Sequence, residues 1–152
     1  MSDPDDIRGW QRLGPATTTS GRLETPDPGR LAAIGVRHVI NLALDDHPEA
    51  LADEERRLAA EGIGYTHIPV PFDAPGEDHL AAFESALASI DGPVHVHCIM
   101  NWRVSAFFYR HNRAAGMDDA AATALMAQQW DPRDSDDPRA AVWAALLARA
   151  DG

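Results

Sequence analysis

The sequence predicts an α/β domain of three layers, a mainly parallel central sheet flanked by helices. Short β-branched runs alternate with stretches of helical spacing, and parallel neighbouring strands need crossovers that helices supply. At 152 residues with 45% hydrophobic side chains, the chain has the size and apolar content for one buried core. No internal repeat divides it, so residues 1–152 are read as a single domain.

The opening through about Leu13 is polar and charged without a sustained period, and reads as a loose N-terminal arm over 1–13 or a short edge element. Ala16-Thr17-Thr18-Thr19-Ser20-Gly21 is a strand-forming run closed by a turn. Pro26-Asp27-Pro28 opens a helix over 29–34 that Gly35 stops. Residues 36–42 form a β-branched run bounded by Gly35 and the polar Asp45-Asp46-His47-Pro48, the pattern of a buried strand. Over 49–60 the spacing is helical, with Leu51 and Leu58 on one face, Asp53, Glu54, Glu55, Arg56 and Arg57 covering the other, and Gly62 as the stop. Residues 65–70 read as a strand in which Pro69 marks an edge or an end.

After the turn-forming, acidic residues 71–78, helical spacing recurs over 79–90 at Leu80, Phe83, Leu87 and Ile90. Val94-His95-Val96-His97-Cys98 is the next strand, followed by helices over 105–115 and 117–129, a polar link over 131–137 and a last helix near 140–150. Phe107, Phe108 and Tyr109 read as core, while Trp130 and Trp143 flank the link and pin the last helix to the domain.

A formal net charge of −11 with dispersed cations opposes non-specific nucleic-acid binding and offers membranes no basic patch. The acidic start Met1-Ser2-Asp3-Pro4-Asp5-Asp6 is unlike a secretory leader, and no stretch approaches the roughly 18 apolar residues of a membrane span. The expectation is a soluble cytoplasmic protein with no nucleic-acid or membrane partner; its oligomeric state is left open. Seven histidines show no recurring pair at ligand spacing with a third ligand nearby, so no metal is expected. One cysteine excludes an internal disulfide and is either a small buried hydrophobe or a reactive thiol.

Its neighbours point to the thiol. Residues after Cys98 turn from strand into helix, where amides without internal partners and the helix dipole bind anions and favour a thiolate. Arg103, five positions on, can fold back to grip an oxyanion by paired hydrogen bonds. His97 either tunes the thiolate by holding the strand-end backbone or is a buried structural histidine; His95, on the same face with no obvious partner, reads as structural. Trp102 stacks on substrate at the site mouth or packs on a neighbouring helix.

The run His97-Cys98-Ile99-Met100-Asn101-Trp102-Arg103, with Ser105 beyond it and Pro71-Phe72-Asp73-Ala74-Pro75 upstream, resembles the cysteine-dependent protein tyrosine and dual-specificity phosphatase superfamily. Small bacterial phosphatase-like proteins of about this length are the nearest in kind. Thr19-Ser20-Gly21-Arg22, Gly35-Val36-Arg37-His38-Val39-Ile40-Asn41-Leu42 and His67-Ile68-Pro69-Val70-Pro71-Phe72-Asp73 follow in that family's order, so the likeness spans about 18–110. It implies a tyrosine-phosphatase-like fold that hydrolyses a phosphorylated protein or small phosphoester through a phosphocysteine on Cys98, without a cofactor. By the same resemblance Ile99, Met100, Asn101, Trp102, Arg103, Val104 and Ser105 form the phosphate-binding loop and Asp73 is the general acid, with Asp78 its rival. Ser105 steadies the leaving thiolate, and His97 supports the loop.

Two differences separate this loop from the superfamily pattern, in which five residues stand between Cys and Arg and the third after Cys is Gly. Here four intervene, Val104 stands at the usual Arg place and Asn101 at the Gly place. Asn tolerates the left-handed backbone such a turn needs. The shorter spacing keeps two other readings open: a catalytically inactive phosphate-binding pseudophosphatase, and a rhodanese-like sulfurtransferase, whose loops share the Cys-x4-Arg spacing. Sulfur transfer has no need of a general acid at Asp73.

Overall fold

A computed structural model describes residues 2–151. Strands β1 (Gln11–Gly14), β2 (Thr17–Ser20), β3 (His38–Asn41), β4 (Gly64–His67) and β5 (Val94–His97) form a sheet in the order β1-β2-β5-β3-β4. β1 lies antiparallel to β2; the other pairings are parallel. Among the described residues six α-helices accompany them: α1 (Asp27–Ala33), α2 (Glu54–Ala59), α3 (Glu77–Ser89), α4 (Trp102–Ala114), α5 (Asp119–Ala127) and α6 (Ala140–Ala148). This is the expected helix-flanked, mainly parallel α/β sheet.

The two-residue period of a strand divides the core between its faces. Val39 and Ile40 are adjacent on β3 and both fully buried, yet Val39 joins Ile7, Leu23, Leu31, Val36, Leu58 and Ile63, whereas Ile40 joins Val96, Phe83, Phe107, Trp143 and Leu146. Thus α1 and α2 cover one face, and α3 through α6 the other. Each such side chain contributes about 1.5–3 kcal/mol through burial.

β5 lies between β2 and β3, and all four of its residues are buried. Val94 and Val96 join the larger cluster, so alternation turns His95 and His97 to the opposite face. His95 has two partners that the sequence did not reveal: Nδ1 lies 2.8 Å from Thr18 Oγ1 and Nε2 2.8 Å from Ser20 Oγ. Ser20 donates its own proton to the Gly21 carbonyl, so His95 Nε2 is the donor of its bond and Nδ1 accepts from Thr18. Burial, reinforced by neighbouring His97, holds the His95 pKa well below the ordinary histidine value.

Three expectations need correction. The opening is not a loose arm but, in its last residues, the alternative short edge element: Ile7 is buried, Trp10 stacks on His95 at 5.3 Å, and β1 is an edge strand. The second helix starts at Glu54 instead of 49, after Asp53 in a left-handed conformation (φ 56°). Its charged residues do not all face solvent, since Glu54 is buried. Trp143 is fully buried and Trp130 nearly so, and they meet at 6.3 Å between α5 and α6, which pins the last helix as expected.

Candidate active site

β5 ends at His97, and Cys98 opens the loop that leads into α4. The helix begins at Trp102, three residues before the expected start, so Arg103 lies in its first turn. Asn101 turns the chain just before it, at φ 69°. The Asn101 side chain fixes that turn: Nδ2 donates to the Gly9 carbonyl at 2.7 Å and to Thr19 Oγ1 at 3.0 Å, and Oδ1 accepts from Ser105 Oγ at 3.1 Å. From outside, the Arg22 amide donates to the Ile99 carbonyl at 2.9 Å. A side chain at Gly21 would collide with that carbonyl, so the residue that leaves β2 passes the loop only as glycine.

Cys98 is 1% exposed and lies on the floor of a cleft of about 360 Å³. Arg103, Asp73, Phe72, Trp102, Met100 and Arg139 are among its walls. Among the described residues, the backbone amides of Ile99, Met100, Asn101, Trp102, Arg103 and Val104 donate to no backbone or side-chain acceptor. They lie at the N-terminus of a 13-residue helix whose dipole favours negative charge. Arg103, itself 7% exposed, donates from one guanidinium nitrogen to the Val70 carbonyl at 2.9 Å, which leaves further N–H groups for a ligand oxygen. Val104 is fully buried in the core, so a guanidinium at that place would point away from the cleft.

The acid loop is held from three sides. Val70 is tied to Arg103, the Phe72 carbonyl accepts from Trp143 Nε1 at 2.7 Å, and the Phe72 ring carries Arg139 at 4.3 Å on the way to Trp102 and Trp130. Asp73 is exposed at the cleft mouth; Asp78, on the first turn of α3, does not line the cleft. The paired hydrogen bonds that Arg139 donates to the Asp137 carboxylate, and more weakly the charge of Asp73, hold the Arg139 pKa above its ordinary value. Trp102 both lines the cleft and stacks on Trp130, with centroids 4.9 Å apart and planes 9° from parallel.

The structure therefore brings Cys98, Arg103, Asp73 and the loop amides together. Ser105 is not brought to the sulfur: its hydroxyl is bonded to Asn101, and it faces Gln11, Thr19 and Tyr109 on the other side of α4. His97 Nδ1 lies 3.0 Å from the Cys98 carbonyl and Nε2 2.6 Å from Glu54 Oε2, so the histidine does hold the strand-end backbone and is itself held. Sequence reasoning missed Glu54, Arg139, Leu44 and His47 at or beside the site. For Glu54 a signal existed, because helical spacing puts 54 on the face of Leu51 and Leu58; for Arg139 none did.

The family match and the structural neighbours place this fold in the cysteine-dependent phosphatase superfamily. Residues 10–115 match the family described as Beta-lactamase hydrolase-like protein, phosphatase-like domain, and the chain belongs to that family. The Beta-lactamase hydrolase-like proteins of two Xylella fastidiosa strains are 33% identical over 82 residues, which is 52% of this chain and 19% of theirs. The match thus takes in about a fifth of the length of these curated relatives. A candidate phosphatase (DUF442) from Shewanella putrefaciens CN-32 superimposes with a TM-score of 0.83 at 28% identity, over 97% of this chain and 94% of that one. Pseudomonas aeruginosa TpbA in complex with pTyr gives 0.71 at 18% identity, over 100% and 94%. The core catalytic domain of the S. cerevisiae PP-IP phosphatase SIW14, in complex with citrate, gives 0.72 at 12%, over 95% and 92%. At these identities the last two share the fold. No helix among the described residues is long and apolar enough to cross a membrane.

Proposed function

We propose that the protein hydrolyses phosphomonoesters by covalent catalysis at Cys98. The observation that carries this reading is the cleft itself, with the cysteine on its floor, Arg103 and Asp73 on its walls, and six unpartnered amides in the loop. The Cys98 thiolate attacks phosphorus, forming an S–P bond as the ester P–O bond breaks, and Asp73 gives its proton to the departing oxygen. Water then attacks the phosphocysteine, its proton passes to Asp73, and the S–P bond breaks to restore the thiolate and release phosphate. Splitting the reaction gives two lower barriers, and Arg103 with the loop amides carries the charge that builds on the phosphoryl oxygens. Membership of a phosphatase-like family supports the reading. So does the position of Asp73, rather than Asp78, at the cleft.

The test is release of phosphate from 4-nitrophenyl phosphate and phenyl phosphate. Cys98→Ser is expected to abolish both, and Arg103→Ala to lower kcat/KM by about 10²–10³. Asp73→Asn slows phenyl phosphate, whose leaving group needs the proton, more than 4-nitrophenyl phosphate; Asp78→Asn leaves both unchanged. Turnover that survives Cys98→Ser would sink the mechanism. Thiosulfate-to-cyanide sulfur transfer without phosphate release would make the protein a sulfurtransferase, and phosphate binding with neither activity would make it a pseudophosphatase.

A further inference from the structure

Glu54 is a carboxylate on the first turn of α2, 6% exposed, in a segment whose neighbours Asp53, Glu55 and Arg56 are all exposed. Withdrawing such a group from water is costly unless it is paired and hydrogen-bonded. Its partner is His97, at 2.6 Å, and the amide of Asn41 lies 3.5 Å from its other oxygen. Asn41 also donates to Tyr65 Oη at 3.2 Å, and burial followed by the charge of Glu54 pushes the Tyr65 pKa up to about 12. A carbonyl only accepts, so His97 Nδ1 is the donor to Cys98. The other ring nitrogen then has a carboxylate to share its proton with.

We propose that Glu54 is a positioning residue for Cys98. It fixes His97 with both ring nitrogens as donors, which locks the Cys98 carbonyl in place and sets a partial positive charge behind the loop. The inference rests on the reading of Cys98 as a thiolate nucleophile. It assigns Glu54 no contact with substrate, because Glu54 lines a separate polar cleft with Tyr65 and His67 and is absent from the walls of the Cys98 cleft. The charged and titratable groups that line the Cys98 cleft are Arg103 on α4, Asp73, His47 after β3 and Arg139 just before α6; those around the Glu54–His97 pair are His95 on β5, Tyr65 and His67 on β4, and Asp45, Asp53, Glu55 and Arg56 beside the polar cleft.

Cys98 is the chain's one cysteine, so its alkylation by iodoacetamide reads this thiol alone and requires no turnover. Glu54→Gln, which keeps the volume, is expected to raise the midpoint of the alkylation pH profile by about one unit, slowing reaction at pH 6 about tenfold; Glu55→Gln is the neutral control. In phosphate release Glu54→Gln lowers kcat while KM stays within about twofold, as a group acting behind the nucleophile should. The second arm is His97→Asn: if Glu54 acts through His97, Glu54→Gln adds nothing in that background. An unshifted profile, or full additivity with His97→Asn, overturns the inference. If His97→Asn does not fold, the Glu54→Gln and Glu55→Gln profiles decide alone. A shifted profile in a protein that releases no phosphate would uphold Glu54 and count against the phosphatase reading; an unshifted profile in an active enzyme would do the reverse.

Discussion

One face of β5 presents Val94 and Val96 to a cluster containing Phe83, Phe107 and Trp143; the other presents His95 and His97 to Trp10, Thr18, Ser20 and Glu54. Both faces are fully buried, but they are held by different physics. The apolar face depends on volume and tolerates exchange of one hydrocarbon for another. On the polar face every hydroxyl, ring nitrogen and carboxylate needs its own partner, so directions are specified as well as contacts. The cysteine loop grows out of that strand, and His97 and Asn101 orient it from behind.

The apolar face of β5 carries the largest expected loss of stability. Phe107→Ala is expected to cost about 3–5 kcal/mol in urea unfolding while the phosphatase activity per folded molecule changes little. Asn101→Ala should cost about 2–3 kcal/mol, from three lost hydrogen bonds and the left-handed turn, and should also abolish the anion site; Asn101→Gly, which suits the turn, should cost less. His95→Leu orphans the Thr18 and Ser20 hydroxyls and should cost about 1–3 kcal/mol at pH 8. Its pH dependence sharpens the contrast. The folded His95 has a depressed pKa, so below about 6.5 the unfolded chain takes up a proton the folded chain refuses. Native stability is therefore complete above that pH and falls as pH drops through it, and the gap to His95→Leu, measured by urea midpoints, should narrow between pH 8 and 5.5. The smallest effect is expected for Ser105→Ala, about 1 kcal/mol, with no change in the alkylation profile of Cys98, since its hydroxyl serves Asn101.

Strand and helix order was legible because hydrophobic spacing is local, and the strand-to-helix turn after Cys98 because its cysteine, arginine and turn-forming asparagine stand within six residues. What failed was assignment by residue type where position mattered more. Glu54 shares a helical face with Leu51 and Leu58, but a run of five charged residues, 53–57, reads as solvated, and only the distant His97 makes burial of one of them tolerable. The opening residues read as loose because Ile7, Gly9 and Trp10 have no periodicity of their own; their partners Asn101 and His95 lie some 90 positions away. Arg139 and Trp143 brace the acid loop by contacts of the same range, and both lie beyond the family-matched residues 10–115.

The stack of Trp102 on Trp130 continues edge-on into Trp143, while Trp10, the fourth and last tryptophan, sits on the opposite face of the sheet. Three of the chain's four indoles are thus near enough to pool absorbed light, and one of the three is a wall of the Cys98 cleft. Ultraviolet emission from the unlabelled protein consequently carries a readout of whether that cleft is filled, separable from Trp10 by mutating Trp10 alone.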